Sequence, residues 1–569
     1  MRARASAGAG LGFAPRLTLL LLLGPVAAGL IGTALPAFGY LPALGGEGFT
    51  LAPWRAFLEA PGVSRAIVIS FTTGVLASAV SLAIVVLFCA AWHGTRVFSA
   101  LQRLLSPLLS LPHATVAFGL AFLIAPSGWL MRLVSPWATG LERPPDLIVV
   151  NDPAGLALVA GLVVKEVPFL LLMTLAALGQ AEAAERRTVA RSLGYGPMTA
   201  WLKGVLPVVY PQVRLPVFAV LAFSMSVVDV ALILGPSTPP TLAVQLVKWF
   251  HDPDLARRFV ASAGAVVQLG LVVAAIALWW LVERAVARLG RLWIVSGRRG
   301  RGDLWLRLLA AGTVVLSFGS ALFGLLGMAV WSLAGFWRYP DALPGSWTLA
   351  NWARHADEIA TPAVNTLTIG LAAAAVAAVL AVACLEHEAQ SGRRAGARAL
   401  WLLYLPLLIP QIAFLFGAQV LLVTLRLDGW WLAVAWSHLV FVLPYVFLSL
   451  SDPYRSWDDR YARSARCLGA SWWRMFWRVK LPMLLRPILI AAAVGFAVSA
   501  GLYLPTLFAG AGRTPTLLTE AISLSAGGDR RIIGIYAILQ LVTPFIAFAL
   551  ALITPAFVYR HRRGMQVTR

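Results

Sequence analysis

The sequence predicts an all-α integral membrane protein of about 12 transmembrane helices, arranged as two parallel six-helix repeats. Three observations predict it. Of the 569 residues, 60% are hydrophobic and 12% are charged, with mean hydropathy +0.81, whereas a soluble domain carries about 25% charged residues. Apolar runs near the roughly 20 residues needed to cross a bilayer recur along the whole chain. Finally, VARSLGYGPMTAWLKGVLP (189–207) returns as SARCLGASWWRMFWRVKLP (464–482), displaced by 275 residues. Repetition at a fixed offset marks two copies of one structural unit.

The apolar runs lie near 17–38, 65–91, 103–126, 154–178, 211–235, 262–283, 308–335, 361–385, 399–425, 429–450, 484–508 and 533–558. Charge orients them. With both termini in the cytoplasm, 32 of the 46 Lys and Arg fall in cytoplasmic stretches and 13 in outer loops. That asymmetry is the positive-inside pattern, and it fits an even number of spans. The net charge of +22 does not point to nucleic acid, because the cations sit in short loops between spans; the partner surface is the lipid bilayer. Arg2, Arg4 and Arg16 precede an apolar run as in a secretory signal. The run continues to about Phe38, longer than a signal core, and a retained first helix completes six plus six. Cys89, Cys384 and Cys467 are scattered and odd in number, so neither a disulfide framework nor a metal spacing follows. Trp54, Trp129, Trp137, Trp337 and Trp430 stand near span ends, where interfacial anchoring is expected.

The repeat extends beyond the two loops. Gly74 matches Gly370, Pro112 and Gly119 match Pro410 and Gly417, and Pro168 matches Pro444. Gly235 and Pro240-Thr241-Leu242 match Gly510 and Pro515-Thr516-Leu517. The offset falls from 298 to 276 between Pro112 and Pro168, so the first half carries about 22 extra residues, in the outer loop near 127–153. The expected organisation is a first half over 1–283, a basic cytoplasmic linker over 284–307 containing SGRRGRGD, and a second half over 308–569. Equal, even span numbers make the repeat parallel rather than inverted.

The duplicated loop, 182–207 in one half and 455–482 in the other, is too polar to cross the membrane. Thr188–Arg191 and Arg463–Arg466 read as helix. Gly194 and Gly469 can end it, since Gly accepts positive φ. An amphipathic stretch follows, and Pro207 and Pro482 begin the next span. A short helix held between spans moves with them and can couple them to a soluble partner. The second copy is richer in cations and aromatics (Arg463, Arg466, Arg474, Arg478, Lys480, Trp472, Trp473, Phe476, Trp477) than the first, which has Tyr195 and Trp201. Aromatic and Arg side chains dominate interface energies, so Trp472 and Phe476 are expected to hold a partner more firmly than Pro197 and Trp201.

These loops resemble the signature loop of ABC-importer permeases, E-A-A-x3-G-x9-I-x-L-P. Gly194 with Leu206-Pro207, and Gly469 with Leu481-Pro482, fit its spacing. Thr188 and Arg463 stand at the Glu position, and Gly204 and Val479 at the Ile position. The literal Glu182-Ala183-Ala184 is out of register with Gly194; Glu185 and Asp459 offer carboxylates just upstream. The chain looks most like fused permeases of the ferric-ion and thiamine import systems. The resemblance implies two type I importer-permease halves whose coupling residues are Thr188, Ala190, Arg191, Gly194, Leu206 and Pro207, and Arg463, Ala465, Arg466, Gly469, Leu481 and Pro482. It implies two copies of a cytoplasmic ATPase as partners, a periplasmic substrate-binding protein, and a multi-pass location in a bacterial inner membrane. ATP and Mg would bind the separate ATPase, since the chain lacks the G-x4-G-K-[ST] phosphate loop. The chain itself is expected to be no enzyme and to hold no cofactor.

Lys165 and Glu166 in the fourth run and Asp229 in the fifth are costly in lipid and count as candidate pathway residues. Their repeat-related positions, Phe441, Val442 and Leu504, are apolar. A proton relay through them would belong to the rival expectation, a proton-coupled secondary transporter of six plus six helices. That class marks the loop after its second helix, whereas here the marked loop follows the fourth. The outer loops, rich in Pro, Gly and Trp, carry no ligand chemistry that identifies a substrate.

Overall fold

The computed structural model describes residues 12–300, 302–393 and 396–560; Arg2, Arg4 and Arg301 lie outside the described residues. The described residues form helices and connecting loops, with no sheet among them. The first half comprises α1 (Ala14–Ala37), α2 (Val63–Trp92), α3 (Arg96–Leu109), α4 (His113–Ile124), α5 (Trp129–Val134), α6 (Leu156–Gln180), α7 (Ala183–Ser192), α8 (Pro197–Gly204), α9 (Leu206–Ser226), α10 (Asp229–Leu234), α11 (Leu242–Phe250) and α12 (Arg257–Val295). The second half comprises α13 (Leu304–Leu333), α14 (Ala356–Ser391), α15 (Ala397–Leu408), α16 (Ile412–Thr424), α17 (Trp431–Arg455), α18 (Arg460–Cys467), α19 (Trp472–Met475), α20 (Leu485–Ala500), α21 (Leu504–Gly510), α22 (Leu517–Ser525) and α23 (Arg530–Val558). Among the described residues ten helices are long and apolar enough to cross a membrane, or up to 12 if each sharply bent pair is one span.

Two expectations need correction. The runs 103–126, 211–235, 399–425 and 484–508 are not continuous helices. Each is broken, between α3 and α4, α9 and α10, α15 and α16, and α20 and α21; α15 and α16 meet at 93°. Proline explains the first and third breaks. Pro112 directly precedes α4, and Pro410 lies between α15 and α16, where a ring without N–H cannot continue the ladder. The expected linker 284–307 is also mostly helix, because α12 runs on to Val295 and α13 begins at Leu304. Among the described residues the non-helical connection is Ser296 to Gly300 with Gly302 and Asp303.

A broken helix inside a membrane frees carbonyls that lipid cannot satisfy. The halves meet this need with matching side chains. Gln268 of α12 donates to the Met225 carbonyl at 3.0 Å, and Gln540 of α23 donates to the Ala500 carbonyl at 3.3 Å; both glutamines are fully buried. The Pro-Thr-Leu repeats have the same logic. The Leu242 N–H donates to Ser70 Oγ at 2.8 Å, and the Leu517 N–H to Thr366 Oγ1 at 2.9 Å, so a hydroxyl on the second span of each half caps the short helix.

The halves exchange their first helices. Helix α1 packs on α16, and α13 packs on α4. Both crossings rest on glycine. A Cβ at Gly417 would lie 2.0 Å from the Gly29 carbonyl oxygen, and one at Gly32 would lie 2.9 Å from Gly417 Cα. A Cβ at Gly119 would lie 2.9 Å from the Gly324 carbonyl carbon. Small residues let helix backbones approach this closely, and dispersion then holds them without a hydrophobic driving force. Thr33 Oγ1 also accepts the Gly417 N–H at 3.0 Å.

The insertion near 127–153 forms a brace between the halves. Arg132 is buried within it. Its guanidinium lies 4.8 Å from the Trp337 ring centre and donates to the carbonyls of Ser127 and Arg338 at 3.1 and 2.8 Å. Trp129 Nε1 donates to the Ala342 carbonyl at 3.0 Å, and Arg530 donates to the Ser127 carbonyl at 2.9 Å. Trp129 and Trp337 are thus committed to the brace rather than to the lipid interface.

The crossings predict a sharp contrast between glycines. Gly417→Ala and Gly119→Ala should each lower stability by roughly 1–3 kcal/mol or more, because the colliding atoms are backbone. Gly312→Ala, where an added Cβ meets nothing within 4 Å, should be neutral or slightly stabilising. Thermal melting of the purified chains in detergent measures this; equal melting points for all three would refute the tight crossings.

Candidate functional site

Each duplicated loop folds into a helix, a corner and a returning helix. In the first, α7 ends at a corner where Gly194 has φ 84°; in the second, α18 ends where Gly469 has φ 81°. The Gly194 N–H donates to the Arg191 carbonyl at 2.9 Å, and the Tyr195 N–H to the Ala190 carbonyl at 3.4 Å. The Gly469 N–H donates to the Arg466 carbonyl, and the Ala470 N–H to the Ala465 carbonyl, both at 3.0 Å. This is the Schellman pattern, in which a left-handed residue folds back two N–H groups onto the last free carbonyls. Ala190 and Arg191, and Ala465 and Arg466, are therefore the acceptors of the corner as well as its sequence match. Thr188 spends its hydroxyl on the Ala184 carbonyl at 2.9 Å, and Arg463 is exposed on α18. Leu206-Pro207 opens α9. Leu481-Pro482 opens the short turn Leu481–Met483 that leads into α20.

The outward surface is apolar and cationic. Leu193 is 60% exposed, and Leu468, its repeat partner, is 88% exposed. Val189, Trp473 and Trp477 are exposed beside Arg191, Arg463 and Arg466. The inward faces pack against the spans. Trp201 and Phe476 are buried, and Phe476 stacks on Trp472 with ring centres 5.3 Å apart. Of the four aromatics singled out in the second loop, Trp473 and Trp477 are exposed, Trp472 is half-buried and Phe476 is buried. Trp201 and Phe476 hold their own loops in place, and Trp473 and Trp477 are the aromatics that face outward.

The second loop is pinned to the spans by a buried network that sequence reading missed. Lys480 Nζ and the Tyr454 hydroxyl both reach Glu386 Oε2, each at 2.6 Å. The ammonium also lies 4.4 Å from the Tyr454 ring centre and 5.0 Å from that of Trp457. Arg455 pairs with Glu388 at 3.0 Å beside it. Glu386 lies in the last two turns of α14, 94 residues away from Lys480, so no local spacing links them. In the first loop Lys203 stacks at 4.7 Å on Trp293 of α12, and Arg187 donates to the His93 carbonyl at the C-terminal end of α2. Burial, with Arg187 beside it, holds the His93 imidazole below its usual range.

The intramembrane candidates separate. Lys165 is buried and donates to the carbonyls of Leu108, Leu109 and Leu111 at 3.3, 3.1 and 2.6 Å. It caps the broken end of α3, where orphan carbonyls would otherwise face lipid or protein unpaired. Glu166 lies 3.6 Å from His113 Nε2. His113 opens α4, is 37% exposed at its side chain, and lies 4.7 Å from the Phe223 ring. Asp229 opens α10, where the helix dipole favours a negative charge, and it interacts through charge with His113. Glu166, His113 and Asp229 therefore gather at the breaks of the third and fifth spans, while Lys165 turns to the backbone.

Comparison with known proteins places this architecture. Residues 376–563 match the family model for binding-protein-dependent transport system inner membrane components. The chain is 33% identical over 556 residues to the inner membrane ABC transporter permease protein YnjC of Escherichia coli (strain K12), covering 97% of this chain and 99% of that protein. It is 33% identical over 61 residues to the probable sulfate transport system permease protein cysT of Zygnema circumcarinatum, covering 11% and 21%. Full-length identity of this extent, on an all-helical fold, shows that the chain belongs to the permeases of ABC transporters, as a non-catalytic, multi-pass inner membrane subunit.

Proposed function

We propose that the chain supplies both transmembrane halves of an ABC importer, with both termini in the cytoplasm. Two copies of a separate ATPase dock beneath the loops 182–207 and 455–482, and ATP and Mg stay on that ATPase. A periplasmic binding protein delivers a small solute, thiamine or ferric ion by the resemblance of the fused halves to those systems. The observation that carries this reading is the duplicated corner, with Gly194 and Gly469 in the same left-handed conformation and Leu193 and Leu468 turned outward. Two identical subunits need two like surfaces.

The loops can act as levers because they are rigid and tethered. ATP-driven approach of the two ATPases would push both corners. At the second, the Lys480–Glu386 contact carries the push into α14, and Pro482 leads it into α20. At the first, Trp293 and the His93 carbonyl receive it. Glu166 and Asp229, at the span breaks, line the pathway in this reading, and Lys165 holds the break open as a structural cap.

Three outcomes follow. The double variant Gly194→Val/Gly469→Val forces β-branched residues into positive φ, at about 1–2 kcal/mol per corner. At Gly469 an added Cβ meets nothing within 4 Å, so the strain there is conformational. Uptake into cells and ATPase co-purification should both fall while membrane insertion persists; uptake at the parental rate would sink the lever. Glu386→Gln strips the charge partner from buried Lys480, a class of change that costs about 3–5 kcal/mol, whereas Glu386→Leu/Lys480→Met should cost less. Melting temperatures of the two variants decide that order, and a less stable double variant would contradict it. The purified chain alone should show no ATP hydrolysis; phosphate release that disappears when this chain is mutated would overturn the assignment of ATP to a separate subunit.

A further inference from the structure

The first loop is not bare. Arg298, Arg299 and Asp303 of the connection between the halves lie against it. The Gly196 N–H donates to the Arg299 carbonyl at 2.9 Å, and Lys203 Nζ donates to the Arg298 carbonyl at 3.1 Å. The Met198 N–H donates to Asp303 Oδ2 at 3.1 Å. The Arg299 guanidinium lies over the corner itself, so that a Cβ at Gly194 would come within 3.4 Å of it. The corresponding space at Gly469 is open for 4 Å.

The reason lies in one repeat position. Ser471 and Gly196 occupy the same place, 275 residues apart, in the same extended backbone (φ −64°, ψ 161° and φ −61°, ψ 159°). Ser471 caps its own helix, its hydroxyl accepting the Arg474 N–H at 3.3 Å. Gly196 has no side chain to do so. Asp303, 105 residues from Met198, supplies the missing acceptor at the start of α8, where a carboxylate is also favoured by the helix dipole. The capping bond draws the connection onto the loop and leaves Arg298 and Arg299 exposed at its surface.

We infer that the connection between the halves is a built part of the first ATPase-docking face, held there by Asp303, so that the two ATPase copies meet unequal surfaces. This rests on the reading that the ATPase docks on the loops. The copy beneath the first half meets Leu193, Arg191 and the two linker arginines, a face that suits carboxylates. The copy beneath the second half meets Leu468, Trp473 and Trp477 with no linker between.

A photo-reactive phenylalanine analogue placed singly at Leu193, Leu468 or Arg299, in membranes holding the full chain and its co-purifying ATPase, tests this. Adducts of the chain with the ATPase are expected from all three positions. Adducts from Leu193 and Leu468 without one from Arg299 would overturn the inference and leave the docking reading standing; no adduct from any position would overturn both. Asp303→Ala should lower the Arg299 adduct about 5-fold, the factor a lost helix cap commands, and leave the Leu468 adduct unchanged. Gly196→Ser added to Asp303→Ala restores a local cap but not the tether, so the Arg299 adduct should stay low. Persistence of that adduct at the parental level in Asp303→Ala would show that Asp303 does not hold the linker.

Discussion

The fold depends on two places where backbone meets backbone. Gly417 crosses Gly29 and Gly32, and Gly119 crosses Gly324. Each crossing joins the first helix of one half to the third span of the other, so the halves are clasped rather than merely adjacent. In a bilayer no hydrophobic gain separates helix–helix from helix–lipid contact. Association has to come from close dispersion contact and the occasional polar bond, and only glycine permits the first. The Gly417 N–H bond to Thr33 Oγ1 adds the second.

Much of this was legible in the sequence, and the rest was hidden for physical reasons. The class followed from hydropathy, and the corners from the repeat offset and the demand for positive φ at Gly194 and Gly469. Gly119 and Gly417 were visible as a matched pair, though their contacts were not, since a glycine in an apolar run looks the same whether it faces lipid or a helix. The span breaks were masked because hydropathy averages across Pro112 and Pro410 without noticing the lost ladder. Lys165 looked like a pathway charge because its acceptors are backbone carbonyls, which leave no trace in sequence. Glu386 sits in a span and Lys480 in a loop 94 residues away, and Asp303 lies across the linker. Pairings of that range have no periodicity to betray them.

The charges also sort by the work they do. A charge inside a membrane is costly unless it is satisfied, and Lys165 is satisfied three times over. Arg132 does the equivalent at the outer face, its plane held among aromatic rings and carbonyls. Phe441, standing where Lys165 stands in the other half, instead stacks on Phe414 at 5.9 Å, and Phe414 is the residue whose carbonyl α1 touches at Gly29. One half thus stabilises its broken third span with an ammonium and the other with rings packed under the exchanged helix.

Symmetry is kept where the solvent allows few answers and lost where it allows many. Within the membrane an orphan carbonyl or N–H costs several kcal/mol. There the halves share a solution: Gln268 and Gln540 at the fifth-span breaks, Ser70 and Thr366 at the outer short helices. In the loops water can satisfy a loose end, so the same helix start is capped by Ser471 in one half and by a distant Asp303 in the other. A single polypeptide makes the second arrangement possible, because only a covalent connection brings a residue from the head of one half so reliably to the loop of the other. The corner is therefore the part that the two loops share, and the helix cap is the part that they do not.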